Sequence, residues 1–368
     1  MTKLATITFL AFINLGSFAQ KTSLTLEKLR LKNLQQHLSY IPAKSFNVLA
    51  YKGNDSVSFY KERITTLHGF YISRTEVTNM EYREFVFYTR DSIAHTLLSH
   101  FRGGAGTIDW GQPIDWNDDK LAPLLLSPDE RLFTRKEINP EKLLYAIDFF
   151  GQKETISIYP DTLVWIRDFS YSYNEPLTKR YFLYSFYDNY PVIGISQKQA
   201  MAFCHWKTHQ VNKMLKGKDA SDIELVVRLP TNAEWESAAL EKKDSASLFS
   251  VRKPYRCNFG AITDRDGLTL KGFKDDGFFY TAPVKSFPDG PNGLFDMKGN
   301  VAEWTLTARE EVMNAEVKQE KLKTFFVVKG GGWNSTPFYL QAGVSQFFPV
   351  DAAHSFIGFR YVLYIEKK

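Results

Sequence analysis

The side chains able to do chemistry sit in a few short arrangements. His205-Trp206-Lys207-Thr208-His209 puts two imidazoles four residues apart, the spacing that binds zinc in helical metalloprotease motifs. The glutamate that serves as base in those motifs is absent and no third ligand is evident. Two surface or half-buried histidines is therefore the plainer reading. Asp264 and Asp266 before Gly267 look like part of a calcium loop, but the bidentate glutamate beyond that glycine is missing. Gly330 to Gly332 follow the strand-like Phe325 to Val328 without the Lys-Ser/Thr pair of a phosphate loop. They are expected to form a tight backbone turn passing close to another segment. Ser335 would be a nucleophile only with a base beside it, and His354 would have to fold back to serve.

These groups have to be positioned by helices and strands that the local pattern announces. Thr78 with Glu81, Ser196 with Gln199, and Thr231 with Glu234 each set a hydroxyl at a helix start and a Glu or Gln three residues on. That is the reciprocal cap of a helix N-terminus rather than a nucleophile with its base. Leu26, Leu29, Leu34 and Leu38 recur at helical intervals, so a helix is expected over Leu24 to Leu38, ahead of the main domain. Asn47 to Leu49, Val57 to Tyr60 and Gly69 to Ser73 read as strands. Residues 88 to about 190 form a long stretch holding Gly103 to Gly106, Asp109 to Asp119 and the aromatic Tyr181 to Tyr190. A loop of that length usually carries function, so this insertion is the expected partner-binding surface, with Trp110, Trp116, Trp165, Tyr171 and Tyr173 as candidate anchors.

Composition narrows the setting. Lys3 followed by the apolar Leu4 to Leu15 and the small residues before Gln20 reads as a secretory signal over residues 1–19. No later stretch approaches the ~20 apolar residues of a spanning helix. A lipidated cysteine after the apolar run is absent, since the cysteines are Cys204 and Cys257. Cys204 is expected in the core, and a chain of this length can fold without a disulfide. A net charge of +5 without a dense Lys/Arg cluster argues against a nucleic-acid partner.

A series of phrases runs in order: Tyr40-Ile-Pro-Ala-Lys-Ser-Phe46, Phe70-Tyr-Ile-Ser-Arg-Thr-Glu-Val-Thr-Asn79, Tyr190-Pro-Val-Ile-Gly-Ile-Ser196 into Ala202-Phe-Cys-His-Trp206, Arg228-Leu-Pro-Thr-Asn-Ala-Glu-Trp-Glu236, Asn292-Gly-Leu-Phe-Asp-Met-Lys-Gly-Asn-Val-Ala-Glu-Trp304, Lys329-Gly-Gly-Gly-Trp333 and Ile357-Gly-Phe-Arg360. Together, from about Tyr40 to Tyr364, they resemble the formylglycine-generating (sulfatase-modifying) enzyme family. The resemblance implies an α+β, C-type-lectin-like domain over residues 40–368 with little regular secondary structure, a segment 20–39 ahead of it and the insertion at about 88–190 within it. It also implies calcium held by side-chain and backbone oxygens. The matching positions are Asn258, Phe259, Asp276 and Phe278 for one site and Asp296, Gly299, Val301 and Glu303 for the other, a mixture of donors that suits calcium.

The family's enzymes bind copper through two cysteines after the glycine turn and use it to convert a substrate cysteine to formylglycine. Aligned on Lys329 to Gly332, this sequence has Ser335 and Leu340 at those positions. Neither side chain replaces a thiolate for copper(I), so no copper and no oxidase activity are expected. Ile158 to Asp168, Tyr171 to Pro176 and Tyr187 to Pro191 further resemble the gliding-motility ring lipoproteins of the type IX secretion system, which are non-catalytic and periplasmic. The expected function is thus an exported, non-catalytic scaffold subunit held at the outer membrane by partners. An enzyme or a ligand-binding protein of the same fold is the alternative.

Overall fold

A computed structural model of the chain describes residues 25–52, 59–103, 106–131, 136–168, 175–216, 220–240, 257–260, 277–288, 290–309, 311 and 324–368. The expected signal segment, Tyr171, Tyr173, Asp264, Asp266 and Asp276 lie outside these residues.

In chain order the elements are α1 (Lys32–His37), β1 (Leu38–Ile41), β2 (Lys44–Lys52), β3 (Phe59–Leu67), β4 (Phe70–Ser73), α2 (Asn79–Leu97), β5 (Phe101–Arg102), β6 (Thr107–Ile108), β7 (Leu144–Phe149), β8 (Gln152–Ser157), α3 (Val164–Arg167), α4 (Glu175–Arg180), α5 (Gln197–Lys213), β9 (Ile223–Arg228), α6 (Asn232–Ala239), β10 (Ala302–Ala308), β11 (Phe325–Lys329), β12 (Gln346–Pro349), β13 (Ile357–Gly358) and β14 (Val362–Lys367). This is an α+β fold built on two four-stranded sheets, ordered β1-β4-β14-β9 and β12-β11-β10-β13. The first is antiparallel throughout, and the second is antiparallel except where β13 joins β10 in parallel. Pairs β2-β3, β5-β6 and β7-β8 stand as separate hairpins.

The three reciprocal caps form as expected, at Thr78 for α2, Ser196 for α5 and Thr231 for α6. Each fixes where a long element starts, at about 1 kcal/mol apiece. Between α2 and α5 the interior is aromatic: Tyr82 stacks on Phe203 with centroids 5.7 Å apart, and Phe85 and Phe359 meet them edge-on. Cys204 is buried in this layer, as expected, and burial pushes its thiol pKa up. Cys257 belongs to a different cluster, so the two cysteines form no disulfide with each other.

Two expectations change. The continuous helix over Leu24 to Leu38 is instead a turn over residues 26–30 followed by the six-residue α1. Arg30 takes a positive φ of 53°, which a helix cannot accommodate. The leucine spacing still marks what is buried, for Leu26, Leu29, Leu34 and Leu38 all enter the main core. The stretch 88 to 190 is likewise not one long loop: α2 continues to Leu97, and hairpin β7-β8 packs against α5 through a Lys198–Glu154 ion pair of 2.8 Å. Among the described residues no helix is long and apolar enough to cross a membrane.

Residues 359–361 join the two sheets. The Val77 amide donates to the Phe359 carbonyl and the Ser73 amide to the Tyr361 carbonyl, both at 2.9 Å. Arg360, between them, is thereby directed into the space where the sheets meet.

Candidate functional site

The phrases quoted from the sequence converge on that space. Glu303 on β10 lies opposite Lys329 of β11 and Gly358 of β13. Its carboxylate takes Arg360 Nε at 2.6 Å and Arg360 Nη2 at 2.7 Å, and Trp235 Nε1 from α6 at 2.6 Å. Two further Arg360 hydrogens reach the carbonyls of Ser73 and Phe295. Burial works against the guanidinium charge, but Glu303 more than offsets it and the Arg360 pKa is raised. A second buried pair lies alongside, Lys329 Nζ donating to Glu236 Oε1 at 2.9 Å and to Ser345 Oγ at 3.2 Å.

Next to Arg360 are two carboxylates with less support. Asp296 sits at φ 55°; its Oδ2 accepts from the Lys285 amide at 2.9 Å, while Oδ1 is buried with no hydrogen-bond partner. Glu76 is fully buried; its Oε1 accepts from Asn300 Nδ2 at 3.0 Å, and Oε2 has no partner. Burial and then the charge of Asp296 push the Glu76 pKa well up, with Arg360 opposing. Burial likewise raises Asp296 to about 6, against the Lys285 amide and Arg360.

Asn300 ties this carboxylate corner to the glycine turn. Its side chain also brackets Ala282, accepting from the amide at 2.8 Å and donating to the carbonyl at 3.2 Å. Its own amide donates to the Asn258 carbonyl at 2.8 Å, and its carbonyl accepts from the Trp333 amide at 2.7 Å. Gly299 is needed beside it: at φ 81° a Cβ would stand 2.1 Å from the Asn258 oxygen. The two sets of positions assigned to calcium therefore meet, Asn258 from the first against Gly299 of the second, with Asn300, which belongs to neither set, hydrogen-bonded between them.

The residues partly fit calcium. Asp296 Oδ1 is a buried, unpartnered oxygen of the kind such an ion would satisfy. Glu303 is not available in the same way, because both its oxygens are engaged by Arg360 and Trp235. Among the described residues no three His, Cys, Asp or Glu side chains gather as a metal cluster. Calcium here would lean on backbone oxygens with Asp296. Val301 turns its side chain into an apolar cluster with Trp165 and Trp333, and Phe259 packs against Cys257 and Leu340. Phe278 is half-buried, its ring 6.2 Å from that of Phe287.

The glycine turn itself is packed shut. Gly330 and Gly331 take φ of 87° and 67°, and a Cβ on Gly332 would lie 2.8 Å from the Phe356 carbonyl, so the expected close approach is present. Ser335 Oγ accepts from the Gly332 amide at 2.9 Å, and the Ser335 carbonyl accepts from the Gly260 amide at 2.9 Å. Leu340 is fully buried with Cys257 and Phe259. One thiol thus reaches this corner, but Cys204 stays in the aromatic layer between α2 and α5, so a two-thiolate copper site does not fit. His354 does not serve Ser335; its Nδ1 lies 3.2 Å from Asp168 Oδ1 and its ring stacks on Phe356.

The family described as Sulfatase-modifying factor enzyme 1-like domain matches residues 32–365. The chain belongs to that family. This sulfatase-modifying factor-like chain is 33% identical over 121 residues to the formylglycine-generating enzyme of Thermomonospora curvata, covering 32% of this chain and 33% of that protein. It is 32% identical over 151 residues to the inactive C-alpha-formylglycine-generating enzyme 2 of Bos taurus, covering 40% of each. The chain therefore spans well under two thirds of either relative. The structure of PvdO from Pseudomonas aeruginosa superposes with a TM-score of 0.46 at 16% identity, over 89% of this chain and 93% of that one.

Of the aromatic anchors expected in the insertion, Trp165 is a correction. It is 1% exposed, inside a cluster with Tyr181, Tyr280 and Trp333, because α3 turns its apolar face onto the glycine turn. Trp116 is half-buried under Arg90. Trp110 remains 46% exposed, stacked on Tyr88 at 4.9 Å. Sequence reasoning passed over Glu76 and Asn300 as site residues. Both stand inside quoted phrases, but nothing in local spacing links a glutamate to an asparagine 224 positions later.

Proposed function

We propose that the chain is a non-catalytic, exported member of the sulfatase-modifying factor family, acting as a scaffold subunit of a type IX secretion or gliding assembly and stabilised by calcium at the Asp296 corner. The observation that carries the non-catalytic part is the packed glycine turn, where Ser335 is occupied by the Gly332 amide and Leu340 is buried with Cys257 and Phe259, at the two positions that the resemblance aligns with copper-binding cysteines. A relative described as inactive in the same family agrees with it. The scaffold part is supported by apolar side chains left exposed in the stretch 88–190: Leu183, Tyr184 and Phe186 as well as Trp110. Side chains of this type anchor protein interfaces. The export part of the proposed location, periplasmic and peripheral to the outer membrane, is supported by the amino-terminal signal pattern, and the rest of it goes with the scaffold role.

The test has two arms. Copper-loaded protein is assayed for oxygen uptake with a cysteine-containing peptide; turnover ends the non-catalytic reading. Tagged protein is recovered from gently solubilised envelopes and its companions are identified by mass spectrometry. Co-recovery of secretion-ring subunits supports the scaffold, and isolation as a lone protein overturns it.

A further inference from the structure

The two histidines of α5 come together on the protein surface. His205 Nε2 and His209 Nε2 lie 3.3 Å apart, with ring centroids at 4.6 Å and planes at 86°. Both residues are exposed. Imidazole nitrogens each about 2.0–2.1 Å from a tetrahedral ion stand about 3.3 Å from one another. The same separation also lies within hydrogen-bond reach, the donor depending on the tautomer, so the titration below is what separates the two.

A neighbour fixes the ring that matters. Tyr145 of β7 places Oη 3.0 Å from His205 Nδ1. When Nδ1–H donates to that oxygen, Nε2 is left with its lone pair outward, which is how an outer partner prepares a histidine ligand.

The other close histidine pair lacks these features. His95 and His100 approach through Nδ1 at 3.1 Å, but His95 is buried and meets Trp110 edge-on, away from the water that would complete an ion's shell.

We propose that His205 and His209 bind zinc, or a divalent ion of similar preference, through their two Nε2 atoms, with Tyr145 as the positioning residue. Among the described residues no third His, Cys, Asp or Glu completes a cluster. The remaining positions fall to water or to a donor from outside the chain, so this is an open site rather than a closed structural one. Because Tyr145 belongs to hairpin β7-β8 and the histidines to α5, occupancy also ties that part of the insertion to the domain.

The experiment is calorimetric titration of the full chain with zinc chloride in chelator-free buffer saturated with calcium, which keeps the carboxylate corner out of the measurement. The wild type is expected to bind about one equivalent, His209→Ala and His205→Ala to lose it, and Tyr145→Phe to bind about tenfold more weakly. His209→Gln, at an exposed position, is checked for an unchanged circular dichroism spectrum, serves as the matched variant and is also expected to lose binding. Absence of binding by the wild type, or unchanged affinity in the histidine variants, overturns the site; unchanged affinity in Tyr145→Phe overturns the role given to Tyr145.

Discussion

The glycine turn and the carboxylate corner share Asn300, yet they are built in opposite ways. Around Ser335 and Leu340 the polar groups have partners and the remaining space is filled with apolar side chains. Around Glu76 and Asp296 two carboxylate oxygens are buried without a hydrogen bond, beside an arginine already held by Glu303. The first has the character of an ordinary core, with the Ser335 hydroxyl engaged and Leu340 packed among apolar neighbours. The second stores a polar mismatch, and a buried polar mismatch is where a cation or a proton has something to gain.

The comparison breaks first at Arg360. Arg360→Met leaves Glu303 as an uncompensated buried charge and adds to the repulsion among three carboxylates, so a loss of about 3–5 kcal/mol is expected in urea unfolding. Partial recovery in the Glu303→Gln, Arg360→Met double variant would locate that cost in the stranded charge. At the glycine turn, Leu340→Ala should cost about 2–5 kcal/mol through the cavity it opens, with no dependence on calcium.

A smaller effect, opposite in sign, is expected at Glu76. Glu76→Gln keeps the neighbour Asn300 within hydrogen-bonding reach and removes the charge that Asp296 opposes, so in chelator the melting temperature should rise. The increment given by added calcium should shrink relative to wild type, since the relief an ion offers has partly been supplied. A calcium increment equal to that of wild type would separate Glu76 from the ion.

The least pronounced difference concerns pH. The folded Asp296 carboxyl is held near about 6 against an ordinary 3.8, so the folded state binds its proton more readily than the unfolded chain. Its contribution to stability is fully present below the unfolded value and is lost as pH rises through about 6; Glu76 is shifted in the same direction. Unfolding in chelator should therefore show stability falling between about pH 4 and 7 on account of these groups, and Asp296→Asn should flatten that slope. A slope unchanged by the substitution would assign it to other carboxylates.

Much of this was legible in the sequence where the signal is local. The caps at Thr78, Ser196 and Thr231 need only four residues each, and their helices start where those residues say. The glycine turn announced a close backbone approach. The leucines at 26, 29, 34 and 38 announced burial correctly but not the helix, because a spacing of apolar residues reports which side faces the core and does not exclude a turn at Arg30. Trp165 shows the converse: an aromatic in an insertion looks available until the fold lays α3 over Trp333.

The sequence by itself determined the family and the helix starts, since each depends on residue identity within short phrases. The tertiary structure alone decided that Glu76, Asn300, Asp296 and Arg360 meet, and that Glu303 faces an arginine. Those outcomes depend on how two sheets are joined through residues 359–361, and the energies that set a buried charge against its partners act through space, where separation along the chain carries no information.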